Sequence, residues 1–239
     1  VGIINGIDEK VWNPDCDPLI ARNYNVDKGR VAAKKANKIA LLNHFGWHQS
    51  EIDADTPVLG LVGRLVWQKG IDLVLQLIPE IIHNSNAIFV IVGSGDREHH
   101  EALQKLAIEY PKRVLVYLGY SEPLAHLVEA GSDMFLMPSR FEPCGLNQIY
   151  SLKYGTPPIV HHTGGLADTV VNATDENMAA GTATGFVFYD PDIHALKSTV
   201  QHALYVYSRK RAWQALQKRG MQQNFGWQES ARKYLELIQ

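Results

Sequence analysis

The sequence predicts an α/β fold, a parallel sheet with helices on both faces, and three observations carry that prediction. Short apolar runs suited to buried strands recur at residues 58–63, 87–92, 114–118 and 133–137. Each is followed by a stretch with helical spacing of apolar residues. Glycine or proline marks most of the joints between them. Repeated βα units of this kind pair their strands in parallel and place the crossover helices over both faces.

The elements follow in order. Residues 58–63 form a strand, and residues 70–83 a helix with Ile71, Val74, Leu75, Ile78 and Ile82 on one face. The continuous apolar run 87–92 ends at Gly93. A helix over 98–110 is closed by Pro111, and Val114–Leu118 is the next strand. A helix at 122–130, a strand at 133–137, a helix at 146–154 stopped by Gly155, and a short strand at 158–160 come next. Residues 185–188 supply a last strand, and 192–207, 209–222 and 228–238 are helices. One Rossmann-like domain therefore accounts for residues 57–239. Residues 1–56 are less regular and read as a separate leading segment with a surface helix. Asn5-Gly6-Ile7-Asp8 is a turn after a short apolar strand, residues 15–26 are loop-like, and residues 27–46, rich in Lys and Ala, form the surface helix. Residues 172–185 are the longest loop expected in the body of the domain. The chain starts at Val1, without Met and with a strand already under way, which suggests a piece of something longer.

Composition excludes several function classes. A net charge of −2 over 239 residues argues against an extended nucleic-acid surface, while leaving room for a local basic pocket that takes a small anion. Two cysteines, Cys16 and Cys144, suit a reducing compartment and give no disulfide framework. No apolar run is long enough to span a bilayer and no secretory leader is evident, so the expected setting is the cytoplasm, with no membrane partner. His99-His100 and His161-His162 lack clustered Cys or acidic ligands, so neither a metal nor another cofactor is expected.

The chemistry concentrates at strand-to-helix joints. Pro138-Ser139-Arg140-Phe141-Glu142-Pro143-Cys144-Gly145-Leu146-Asn147 places a carboxylate, Glu142, in a crevice at the carboxyl end of a strand and just ahead of a helix N-terminus. Ligands bind in such crevices, and free helix N–H groups attract anions. Gly63-Arg64-Leu65-Val66-Trp67-Gln68-Lys69-Gly70 places two cations at another joint. Lys69 near a helix N-terminus is disfavoured unless an anion sits beside it, and a diphosphate fits between Arg64 and Lys69. Gly93-Ser94-Gly95-Asp96 lacks the third glycine of a dinucleotide fingerprint and reads as a tight turn that lets a nucleotide approach the backbone. Tyr120 could stack on a base or simply pack. Thr163-Gly164-Gly165-Leu166-Ala167-Asp168 is a further glycine-rich turn, and all of these lie on one sheet edge. Cys144 at a helix N-terminus has the setting of a reactive thiol. Pro143, however, stands where a nucleophile elbow needs glycine. Phe225, Trp227 and Tyr234 read as core or interdomain packing.

Three of these segments, Gly63-Arg64 with Lys69-Gly70, Pro138 to Leu146, and Thr163-Gly164-Gly165-Leu166-Ala167-Asp168-Thr169-Val170, resemble the C-terminal domain of bacterial glycogen synthase and plant starch synthase. The resemblance runs from Asn5 nearly to Gln239. It implies one half, the C-terminal domain, of a GT-B fold, in which two Rossmann-like domains face each other across a cleft. It implies retaining transfer of glucose from ADP-glucose to the non-reducing end of an α-1,4-glucan. Arg64 and Lys69 match the pair that holds the donor diphosphate, and Glu142 the carboxylate of the sugar site. The N–H groups of Cys144, Gly145, Leu146 and Asn147 match those that meet glucose or phosphate oxygens, and Tyr120 the ring that stacks on adenine. Related retaining transferases carry a second Glu eight positions after the first, where this chain has Tyr150. The partners implied are ADP-glucose or ADP, the glucan acceptor, and an N-terminal domain of the same protein that this sequence lacks. The alternatives are a nucleotide-sugar binding module without activity, or another retaining GT-B transferase that uses a different sugar nucleotide.

Overall fold

A computed structural model describes residues 2–27 and 31–238. Six strands, β1 (Val58–Leu65), β2 (Ile88–Gly95), β3 (Val114–Leu118), β4 (Met134–Met137), β5 (Pro158–His161) and β6 (Phe186–Phe188), form one parallel sheet in the order β3-β2-β1-β4-β5-β6. Helices α1 (Lys34–His44), α2 (Ile71–Asn84), α3 (Arg97–Glu109), α4 (Glu122–Gly131), α5 (Asn147–Lys153), α6 (Gly164–Thr169), α7 (Asp175–Ala180), α8 (Ile193–Ser208), α9 (Lys210–Met221) and α10 (Trp227–Ile238) surround or follow it. The Rossmann-like α/β fold expected from the sequence is the one observed.

Strand alternation explains the two layers. Leu59, Leu61, Phe89 and Ile91 face a core closed by Leu73, Leu77, Leu103, Leu196 and Val200 of α2, α3 and α8. Val58, Ile88, Val90 and Val92 face the opposite core, closed by Leu41, Leu124, Val128 and Leu166 of α1, α4 and α6. Each fully buried aliphatic or Phe side chain contributes about 1.5–3 kcal/mol of hydrophobic stabilisation.

The sheet also makes the crevice. The pairing of β1 with β2 runs its full length, from Val58↔Ile88 to Leu65↔Gly95, whereas β1 pairs with β4 only at Leu59↔Met134 and Gly60↔Phe135. Beyond Gly60 the two strands separate. The strand order reverses direction at this gap, which is where open α/β sheets bind ligands.

The leading segment departs from expectation. The expected surface helix at 27–46 is a 3-10 turn at Val31–Ala33 followed by α1, and residues 28–30 lie outside the described ones. Nor is α1 a surface helix: Lys34, Asn37, Lys38, Leu41 and Leu42 are buried. The ammonium of Lys34 donates to the carbonyl of Ala130 (2.7 Å) and the hydroxyl of Thr156 (2.7 Å). That of Lys38 reaches Asp133 (2.7 Å) and the Ala54 carbonyl (3.0 Å). Residues 2–4 form no strand, and Ile7 instead makes an isolated bridge with Gly226; Val1 lies outside the described residues. The expected loop at 172–185 contains α7, whose first turn is capped by Thr174 accepting from the Asn177 N–H (3.1 Å).

A buried cluster fastens this segment to the sheet. Asp17, 1% exposed, accepts from His126 Nδ1 (2.8 Å), the Tyr154 hydroxyl (2.6 Å) and the Leu19 N–H (2.8 Å). Burial alone would raise its pKa, but these hydrogen bonds outweigh it and hold the carboxyl below the usual carboxylate value of 3.8. Its contribution to stability is therefore present above the unfolded-state pKa and lost as pH falls through the lower folded one. Asp17→Asn is expected to cost roughly 3 kcal/mol at neutral pH. Urea melts between pH 7 and 3 should show a shallower acid slope in the variant, and equal slopes would rule this out.

Candidate functional site

Two cavities open at the carboxyl edge of the sheet, on either side of the end of β1. The first, about 230 Å³, lies in the gap between β1 and β4 and is lined by residues 61–64, Lys69, Ile71, residues 136–139, Glu142, Leu146 and Asn147. The second, about 310 Å³, lies on the β2 side and is lined by Trp12, Gly93, Ser94, residues 119–122, Ala125 and Glu129. Val62, Gly63, Arg64 and Asn147 line both, so the cavities adjoin.

In the first cavity Lys69 and Glu142 form an ion pair, with side chains 22% and 10% exposed, so solvent screens it weakly. The Ser139 hydroxyl also donates to Glu142 Oε2 (3.2 Å). Arg64 is exposed, and its guanidinium makes no hydrogen bond or ion pair among the described residues. Arg64 lines both cavities. The loops that carry Lys69 and Glu142 are clamped together. Arg140 makes a two-pronged pair with Asp72 (2.6 and 2.8 Å), donates to the Trp67 carbonyl (3.0 Å) and lies 4.4 Å over the Trp67 ring. Asn147 donates to the Val62 carbonyl (2.6 Å), tying the start of α5 to β1.

The structure thus brings Arg64, Lys69, Glu142, Leu146 and Asn147 together in one cavity, and Tyr120 and Gly93 into the adjoining one. Tyr120 is 85% exposed at the rim, so its ring is open to stacking rather than packed. Cys144, Gly145, Gly95, Gly164 and Gly165 line neither cavity. The N–H groups of Cys144, Gly145, Leu146 and Asn147 donate no hydrogen bond among the described residues. Gly93-Ser94-Gly95 is not a tight turn: these residues are the last of β2, paired with Gly63, Arg64 and Leu65. Glycine is needed at 93 because a Cβ there would stand 1.9 Å from the Gly63 carbonyl oxygen. Gly164 and Gly165 lie beneath the Glu142 and Cys144 carbonyls.

Three of the four paired histidines are hydrogen-bonded to the backbone through their rings, while His162 is exposed. His99 Nδ1 contacts the Leu65 carbonyl (2.9 Å), His100 accepts from the Gly95 N–H (2.9 Å), and the His161 ring bridges the carbonyls of Ser139 (2.9 Å) and Tyr189 (3.1 Å). Trp227 and Tyr234 are not core residues, being 52% and 50% exposed on α10. No helix among the described residues is long and apolar enough to cross a membrane. Ser139, Trp12 and Glu129 were not singled out from the sequence. Ser139 stood within the Glu142 motif, whereas nothing local marked Trp12 or Glu129, which reach the site through tertiary packing.

Comparison with known proteins identifies the family of the chain. The family model for glycosyl transferases group 1 matches residues 47–218. The chain is 64% identical over 238 residues to a glycogen synthase of Hydrogenovibrio crunogenus, covering 100% of this chain and 48% of that protein. It is 48% identical to glycogen synthase 2 of Nitrosococcus oceani, of which it covers 47%. The catalytic domain of starch synthase IV from Arabidopsis thaliana, solved bound to ADP and acarbose, superposes with a TM-score of 0.91 at 32% identity, over 99% of this chain and 48% of that one. The chain spans about half the length of the curated relatives it matches. Its sheet and helices are those of one half of a GT-B enzyme, and the chain belongs to the group 1 glycosyl transferases.

Proposed function

We propose that this chain is the donor-binding half of an ADP-glucose-dependent glycogen synthase, which transfers glucose with retention to the non-reducing end of an α-1,4-glucan. The 64% identity to a glycogen synthase along the whole chain is the observation that carries the reading. The site chemistry supports it. Arg64, shared by both cavities, and Lys69 take the donor diphosphate, and their charge stabilises the departing nucleotide without a metal ion. Glu142 holds the sugar hydroxyls and faces the positive charge that develops on the glucose ring. The Tyr120 ring, exposed at the mouth of the second cavity, stacks on the base.

Before the donor arrives, Glu142 occupies Lys69, so the diphosphate competes for that cation. Binding then exchanges one anionic partner of Lys69 for another and releases the carboxylate towards the sugar. Free thiols at Cys16 and Cys144 suit the reducing cytoplasm in which we place the protein. The partners in this reading are ADP-glucose, the glucan and the N-terminal half of the same protein. Transfer needs both walls of the cleft, so residues 1–239 alone bind donor and turn over little. The intact protein supplied with ADP-glucose and glycogen is expected to release ADP and extend the glucan. No ADP release, or equally fast release by the 239-residue chain alone, would contradict the reading.

A further inference from the structure

The second cavity contains a group with no role in the reading above. Glu122, Ala125 and Glu129 are spaced three and four residues apart on α4, so they share the helix face that lines this cavity. Burial deepens along that face: Glu122 is exposed, Ala125 is half-buried, and Glu129 is 1% exposed. Oε2 of Glu129 has no hydrogen-bond partner among the described residues. The Lys34 ammonium does not satisfy it, being directed to the backbone carbonyls of Glu129 (3.2 Å) and Ala130 (2.7 Å) and to Thr156 (2.7 Å).

Buried polar atoms in native proteins are nearly always paired, so an orphan at the inner end of a cavity calls for a partner from outside the fold. Burial also pushes the Glu129 carboxyl well above the usual carboxylate range, with the charge of Lys34 opposing the shift. Burial in turn pushes Lys34 down to about 7. A protonated carboxyl presents an O–H donor beside a carbonyl acceptor, a pair that matches the adjacent acceptor and donor on a nucleobase edge or the hydroxyls of a ribose. The rest of the cavity suits such a ligand. Trp12 lines it, with its ring stacked against those of His126 (3.7 Å) and Tyr150 (3.8 Å). Tyr120 stands at the mouth, and Arg64 opens onto the adjoining diphosphate cavity.

We propose that Glu129 is a specificity-determining residue, its carboxyl hydrogen-bonding the nucleoside of a nucleoside diphosphate from the inner end of this cavity. The proposal rests on the donor-site reading, and its test separates the two. The intact protein and its Glu129→Leu and Glu129→Gln variants are titrated with ADP and with inorganic pyrophosphate, which occupies only the diphosphate cavity. Glu129→Leu is expected to weaken ADP about tenfold or more and leave pyrophosphate unchanged, while Glu129→Gln, which keeps a donor and an acceptor, stays within about threefold of wild type. Leu and wild-type proteins with equal ADP affinity would overturn the proposal alone. Wild-type protein that binds neither ligand would overturn the donor-site reading with it.

Infrared difference spectra of the wild-type protein give a readout independent of how the Leu variant folds. The carbonyl stretch of a protonated carboxyl, assigned by its absence in Glu129→Gln, should shift on adding ADP and not on adding pyrophosphate. A band that ADP leaves in place assigns Glu129 to packing and overturns the proposal.

Discussion

Glu142→Gln in the intact protein is expected to lower glucosyl transfer by about 10²- to 10³-fold, the range for removing one preorganised charge-stabilising group, while ADP binds as tightly as before or tighter. The two effects separate because Glu142 has two partners. Its carboxylate pairs with Lys69 and accepts from Ser139 (3.2 Å). Glutamine has nearly the same volume and can still accept from Ser139, so the loop keeps its shape. What disappears is the negative charge. Transfer then loses the group facing the cationic sugar, and Lys69 loses the anion that competes with the diphosphate. Single-turnover rates and calorimetric titration with ADP measure the two terms separately. A parallel fall in ADP affinity and melting temperature would instead make Glu142 a structural half of the ion pair.

The alternation of strands and helices from Pro57 onward was legible because a sheet covered on both faces leaves unbroken apolar runs, such as Ile88 to Val92, between helices with one apolar face. Arg64, Lys69 and Glu142 were legible for a related reason. Each stands where an apolar run gives way to a helix, and the order of the sheet puts the ends of β1 and β4 side by side. The leading segment was not legible because its burial is decided elsewhere. Lys34 and Lys38 look like solvent residues by composition, yet their long stems carry the ammonium groups to oxygens of Ala130, Ala54 and Asp133 that only the folded chain collects. Trp12 and Glu129 share a cavity although they lie far apart in the sequence. The turn expected at Gly93-Ser94-Gly95 proved to be strand because its glycines admit the neighbouring strand.

Alanine at Gly165 is expected to destabilise the fold by about 1–3 kcal/mol and to impair transfer, although Gly165 lines neither cavity. An added Cβ would stand 2.0 Å from the Cys144 carbonyl oxygen and 2.6 Å from its carbonyl carbon, and these are backbone atoms that cannot swing aside. Gly164 is as tightly placed, 2.1 Å from the Glu142 carbonyl oxygen, and its φ of +44° already disfavours a side chain. The start of α6 therefore supports the loop that bears Glu142. The Gly165 N–H donates to the Glu142 carbonyl (3.1 Å), and Gln148 donates to the carbonyls of Cys144 (2.9 Å) and Gly145 (3.2 Å) and to Thr169 (3.2 Å). Relieving the contact would push the loop away from α6 and move Glu142 and Leu146 at the wall of the first cavity. A displacement of about 1 Å at a reacting centre can cost on the order of 10²-fold in rate. The melting temperature and turnover of Gly165→Ala should fall together. If the melting temperature holds while ADP affinity collapses, the glycine backbone touches the ligand directly, and the support role is wrong.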